Sequence, residues 1–259
     1  MFFTQQLLVN FSSFALCTMF ILVAVVFAVC GLFVSRKIMP HYKLKLHNDV
    51  AGPLFSTVGV VYAVLLAFMV ILVWGDFDKA NINVEREAIR LVNLYRDSQA
   101  FGPELRNPAR ALFKEYAGLI INEEWKMLPF SQSSPKVSAA INQMFSLYSG
   151  YLPKNLTEQA FFTESVRNLN ELVDLRMSRL IQTRTGVHPL LWFILIIGGM
   201  VTITFTFFFG SENFSSQIVM SVLLSILIAL ILFTILALDF PFGGSISISP
   251  NAFRQIAAL

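Results

Sequence analysis

The stretch LFSTVGVVYAVLLAFMVILVWGDFDKANINVEREAIRLVNLYRDSQA (residues 54–100) decides the fold. Residues 54–74 carry no Asp, Glu, Lys, Arg or His. They are long enough to cross a bilayer, which takes about 20 residues of helix. In the polar half that follows, Phe77, Ala80, Val84, Ala88, Leu91 and Tyr95 recur at spacings of three and four, the signature of one helix face. After Gly75 no proline or glycine interrupts the pattern. The spacing predicts a single helix over 54–100, about 70 Å long, half in lipid and half in water.

Three further runs, 13–34, 190–209 and 218–238, are equally apolar and equally free of ionisable side chains. The composition agrees: 56% of residues are hydrophobic and 14% charged, the mean hydropathy is +0.66, and a soluble domain carries roughly a quarter charged residues. The chain therefore reads as an all-α integral membrane protein. Four transmembrane helices are expected, with a helical stalk domain inserted between the second and third. Its divisions are 1–74 (two spans and a basic loop), 75–188 (the extramembrane helices), 189–238 (two more spans) and 239–259 (a turn and a strap). Proton- or ion-coupled pumping normally needs an ionisable group inside the membrane; a passive pore or an anchor does not. A net charge of +3, with no basic stripe interleaved with aromatics, argues against a nucleic-acid partner.

Within 75–188, Pro103 and Asn107-Pro108 end the long helix and begin the next, to about residue 128. Ser134 before Pro135 caps a third, and Thr157-Glu158 opens a fourth that carries Leu169, Val173, Met177 and Leu180 on one face. Charge gives two answers on orientation. Arg36, Lys37, Lys43 and Lys45 against Asp49 put the first loop in the cytoplasm, whereas Lys79, Arg86, Arg90, Arg176, Arg179 and Arg184 pull the stalk there instead. The expectation is a multi-pass protein of the inner (plasma) membrane with the helical domain on the cytoplasmic side.

Cys17 and Cys30 lie about 20 Å apart along one helix, beyond disulfide reach. No phosphate loop, paired-cysteine metal site or nucleophile elbow is present; no enzymatic activity, metal or cofactor is expected. His41 and His47 read as interfacial, and the acids of Asn122–Trp125 as a solvated face, since helix neighbours point apart. If several copies gather, Tyr62, Leu65, Phe68, Met69 and Leu72 of the second span line the axis as a hydrophobic constriction. Asp76 and Asp78 then form a ring of charge at its mouth.

The run LAFMVILVWGDFDKANINVEREAIRLVNLYRDSQAF (residues 66–101) resembles the second span and following helix of bestrophin-like membrane proteins, at Trp74, Phe77, Ala80, Glu87, Ala88, Leu94, Tyr95 and Arg96. DFPFGG (239–244), with Asp239, Pro241, Phe242 and Gly243, followed by Pro250, resembles the Pro-Phe-Gly signature after the last bestrophin span. The order of parts agrees as well. Two features depart: Lys79-Ala80-Asn81 stands where bestrophins carry an Arg and paired aromatics, and GSISISP carries none of the acids that bind calcium in animal bestrophins. The resemblance implies a cyclic homo-oligomer, a pentamer, conducting small ions, anions by family. The alternative is a membrane-anchored scaffold or sensor whose stalk binds a partner.

After the last span, Asp239 is expected to stand in water, Pro241 to stop the helix, and Gly243-Gly244 to turn the chain. SISIS then alternates like an edge strand or an extended arm, with Ile246 and Ile248 on one face. The resemblance implies a strap across the long helices of the domain, on its own or a neighbouring subunit.

Overall fold

The structure, a computed structural model, describes residues 11–39, 44–45, 48–211, 213–244 and 246–257. His41, Lys43, His47 and Ser245 lie outside the described residues. The long helices are α1 (Ser13–Ile38), α2 (Asn48–Asp97), α3 (Pro103–Leu119), α4 (Pro135–Ser149), α5 (Leu156–Gln182), α6 (Pro189–Phe205), α7 (Phe214–Leu238) and the short α8 (Asn251–Ala257). Helices α1, α2, α6 and α7 are long and apolar enough to cross a membrane. The chain is an all-α integral membrane protein, and among the described residues there is no strand.

α2 is one helix of 50 residues with Pro53 inside it. Its last turn tightens into a 3₁₀ turn at Ser98–Ala100. It begins before residue 54, with Pro53 in its second turn, where the ring removes the bond an N–H would make to Asp49 O. The chain divides into two compact units, one of residues up to Asp76 with Val187–Asp239, the other of Phe77–Gly186 with Phe240–Leu259.

In the first unit α1 lies along α7, joined by the Phe20–Phe233 and Phe33–Phe214 ring pairs at centroid distances of 6.2 and 5.3 Å. Small residues allow the closest approaches. A Cβ at Gly31 would collide with the Phe207 ring, and one at Gly198 would come within 2.7 Å of the Tyr62 ring.

The second unit has a conventional apolar core. Ala80, Val84, Ala88 and Leu91 of α2 are buried as the sequence predicts, with Phe77 and Tyr95 packed at its edge. Facing them are Phe113 and Tyr116 of α3, Met144 and Tyr148 of α4, and Leu169 and Leu172 of α5. α4 begins at Pro135 with Ser134 as its cap, as predicted. α5 is capped by Asn155, whose side chain accepts from the Glu158 N–H at 2.9 Å, so the helix opens just before the Thr157 expected. Met177 is 53% exposed; the inner face of α5 runs instead through Leu169, Leu172, Arg176 and Arg179.

Residues 240–257 close this core. Gly243 N–H bonds to Phe240 O and Ile248 N–H to Pro241 O, and Gly244 takes the left-handed φ of 79° that the turn requires. The predicted strand does not form. Ile248 is buried and Ile246 exposed, so the two do not share a face, and Asn251 starts α8. Phe242, Ile248, Phe253 and Ile256 all enter the core of their own chain. Trp125 receives them, its Nε1–H donating to Ile248 O at 3.2 Å and its ring meeting Phe242 and Phe253 edge-on at 5.9 and 6.2 Å. Phe253→Ala should therefore lower the stability of the helical unit by about 3–5 kcal/mol. Thermal or urea unfolding followed by Trp125 emission measures it, and a change below about 1 kcal/mol would show the segment to be peripheral.

Candidate functional site

The second span is the first candidate. At about 100° per residue, the five predicted axis residues divide between two faces. Tyr62 and Met69 turn into the unit with Leu66 and Val73, all 5% exposed or less. Tyr62 lies against Gly198 and Gly199 and donates its hydroxyl to Leu195 O at 2.9 Å. Phe68 and Leu72 are 68% and 48% exposed, and Leu65, half-buried, stands on their side. The five therefore do not share one face: Leu65, Phe68 and Leu72 form an outward trio, and Tyr62 and Met69 are buried in the unit. The sequence spacing of three and four was right for either face; only the glycine pair on α6 shows which one is covered.

Asp76 and Asp78 are both exposed at the end of the span, as is Trp74 at 58%. Asp239 does not stand in water. It is 8% exposed, and its carboxylate accepts from Val187 N–H at 2.7 Å and Trp192 Nε1–H at 3.4 Å. It ties the end of α7 to the entry of α6, because Val187 precedes the Pro189 start and offers a free N–H there.

The second candidate is a buried charge cluster in the helical unit. After α3 the chain makes a π turn at Ile120–Glu124, and such turns often mark special sites. It carries Glu124 inward to full burial, correcting the solvated face expected for Asn122–Trp125; Glu123 accepts from Ser134 Oγ and pairs with the exposed Lys136. Arg176 grips Glu124 at 3.1 and 2.6 Å. Arg179 bridges Glu87 at 2.8 and 3.0 Å and Glu124 at 3.0 Å. Tyr116 donates its hydroxyl to Glu87 Oε1 at 2.7 Å. The Arg179 guanidinium also lies 5.3 Å from the centre of the Trp125 ring, the face on which a cation is stabilised. Arg176 and Arg179 are therefore internal ion-pair partners, not the surface charges weighed for orientation.

Burial pushes the Glu124 carboxyl up, but the Arg176 hydrogen bonds and the charges of Arg179 and Arg176 outweigh it and hold it below its ordinary 4.5. Burial likewise opposes the charge of Arg179, and Glu87 beside it more than restores it. For Tyr116, burial and the neighbouring Glu87 raise the phenol well above its usual value. Glu124 and Arg179 are thus both held in their charged forms, and the bridge between them braces the unit.

The remaining motif residues are placed as follows. Ala88 and Leu94 are buried, Tyr95 lies under the Arg110 guanidinium at 4.4 Å, and Arg96 is exposed. Pro241 and Phe242 are buried in the turn beside Gly243. Among the described residues no group of three or more His, Cys, Asp and Glu is placed to hold a metal ion.

Together these features define a multi-pass membrane protein whose second span continues into a helical unit closed from beyond the last span. The chain belongs to the Bestrophin-like family, whose domain matches residues 22–253. A sequence search of curated proteins finds no match. Among solved structures, a bacterial bestrophin homologue from Klebsiella pneumoniae shares the fold at 15% identity and TM-score 0.66, over 93% of this chain and 95% of that one. Two point variants of that homologue match at TM-scores of 0.68 and 0.62, with 15% and 18% identity, over 93% and 96% of this chain and 96% and 97% of theirs.

Removing one member of a buried pair leaves an uncompensated charge, at a cost of about 3–5 kcal/mol. Arg179→Ala should show that loss in thermal unfolding, and Arg96→Ala almost none. Because the Glu124 carboxyl is depressed on folding, its contribution is present above about pH 4.5 and disappears as the pH falls through the folded value. The stability gap between the native protein and Glu124→Gln should accordingly narrow below pH 4.5. A gap constant from pH 7 to 3.5 would contradict the ion pairing.

Proposed function

We propose that this chain is the subunit of a passive small-ion channel, a cyclic homo-oligomer with α2 around the axis, pentameric as the likeness to bestrophins implies. The observation that carries the reading is the outward trio of Leu65, Phe68 and Leu72. It is an uncovered apolar face on a span with no ionisable side chain, in a chain of the Bestrophin-like family. Facing an axis, such a face forms a constriction that closes by losing its water and opens when it is wetted. Tyr62 and Met69 hold the opposite face of the helix to its own subunit.

Small anions are the permeant class by family. On the polar half of α2, Lys79 and Arg86 are exposed and suit an anion path, while a ring of Asp76 or Asp78 opposes one. The protein sits in the inner (plasma) membrane with its helical unit on the cytoplasmic side.

Flux of chloride and of potassium from liposomes carrying the purified protein tests the proposal. Phe68→Ala and Leu72→Ala should raise flux severalfold, and Met69→Leu, on the inner face, should leave it unchanged. Asp76→Asn with Asp78→Asn should move the reversal potential toward that of the anion. A protein silent across salts and voltages ends the channel reading, and unchanged flux in both alanine variants ends the assignment of the lining. Sidedness is read from Ser133→Cys, an exposed position beside the buried Ser134, in a background lacking Cys17 and Cys30. An impermeant thiol reagent should label it only after the cells are permeabilised.

A further inference from the structure

The polar half of α2 carries a strip that its own chain leaves open. Ile82 and Ile89 are 37% and 53% exposed, and Asp78, Lys79, Glu85 and Arg86 are exposed beside them. All six lie on one helix and in one compact unit. At about 100° per residue they fall within an arc of about 120°. Asp78 and Glu85 form one edge of the arc, Lys79 and Arg86 the other, and the two isoleucines lie between. Glu85 accepts from Asn81 Nδ2 at 3.2 Å. Among the described residues none of the four charged groups makes an ion pair within the chain.

The strip is complementary to itself. On each edge the two charges are seven residues, about 10.5 Å, apart along the helix. The acids of one helix therefore match the bases of a parallel copy, two against two. Each base follows its acid by one residue, about 1.5 Å of rise, so the match holds with both helices at nearly one height. Copies inserted in the same sense and related by rotation about the membrane normal are parallel and level. The two edges lie about 100° apart around the helix and so face two different neighbours, as a closed ring requires. A partner of one charge sign would suit one edge and repel the other. A free anion would engage the bases alone and leave the isoleucines in water.

We propose that the aqueous halves of neighbouring α2 helices meet head to tail, Asp78 and Glu85 of one subunit against Lys79 and Arg86 of the next, with Ile82 and Ile89 shielding the pairs. This rests on the cyclic assembly proposed above and adds what joins its subunits outside the membrane. Exposed ion pairs are individually weak, and a strip of about 17 Å is too short to hold two chains together alone. It sets the register and the direction of the ring, while the spans carry the rest of the contact. It also separates the two acids at the end of the span. Asp78 lies about 160° around the helix from Asp76, so the seam takes Asp78 and leaves Asp76 for the mouth.

Carbodiimide coupling tests the seam, because it joins a carboxylate to a lysine amine only where the two touch. In liposomes carrying the purified protein it should give a ladder of covalent multimers on denaturing gels. A mixture of isotopically light and heavy chains should show Asp78 joined to Lys79 of another copy, and Lys79→Arg, which keeps the charge but forms no amide, should abolish that link. Reversing the acid edge (Asp78→Lys with Glu85→Lys) or the base edge (Lys79→Glu with Arg86→Glu) should weaken association in dilute detergent about tenfold, as each attraction becomes a repulsion. All four changes together should restore it, and unchanged thermal unfolding of the helical unit certifies that the variants fold. Absence of the Asp78–Lys79 link in a protein that assembles and conducts overturns the seam and leaves the channel reading standing. So do edge reversals without effect, or a fourfold variant no better than the twofold ones. A protein that stays monomeric in liposomes removes both readings.

Discussion

Arg179 stands fully buried between Glu87 and Glu124, and the helical unit is organised around it. Taking three charges from water costs several kcal/mol each, repaid only where geometry is good and the remaining donors are satisfied. The carboxylates are met, Arg176 and Ser134 N–H completing Glu124 and Tyr116 completing Glu87, while Arg179 Nη1 is buried without a hydrogen bond. The cluster joins α2, the π turn and α5, and it fixes their register, since a slip of one residue on α5 would turn Arg179 away by about 100°. The extra residue of the π turn is what brings Glu124 inward. It also presents the next residue, Trp125, to the segment from beyond the last span, so closure of the core by Phe242 and Phe253 depends on the same ion pairs.

The membrane unit obeys a different constraint. Its helices gain nothing by hiding apolar surface from lipid, so close packing and hydrogen bonds decide how they meet. Gly31 under Phe207, and Gly198 and Gly199 under Tyr62, supply the close approaches. Ser225 and Ser221 satisfy themselves along α7 and across to Thr206. This packing leaves Phe68 and Leu72 of α2 uncovered, the face on which the proposed channel reading rests.

The long helix and the four spans were legible in the sequence because periodicity and length are local properties. The inner face of α2 was legible for the same reason, from Ala80 to Leu91. The turn after the last span was legible because Pro241 stops the helix and Gly244 takes the left-handed φ, whereas the alternating serines and isoleucines suggested an edge strand or extended arm, and no strand forms there among the described residues. Other features depended on distant partners. Glu124 and Arg179 look like surface charges until the π turn and α5 are brought together, and Asp239 looks like a boundary acid until Val187 is beside it. For Tyr62 against Phe68, the deciding residues lie on α6, far along the chain. The two adjacent glycines there were the signal that could have been used.

The position of residues 240–257 has a consequence for biogenesis. They emerge from the ribosome only after α6 and α7 have been made, yet they complete a core begun by residues 77–186. The aqueous unit must therefore wait, partly open and exposing Trp125 and its apolar neighbours, while the second pair of helices enters the bilayer. Long-range closure of this kind is slow and prone to misassociation. Membrane insertion thus acts as a checkpoint that the soluble half of the molecule must pass before it can finish folding.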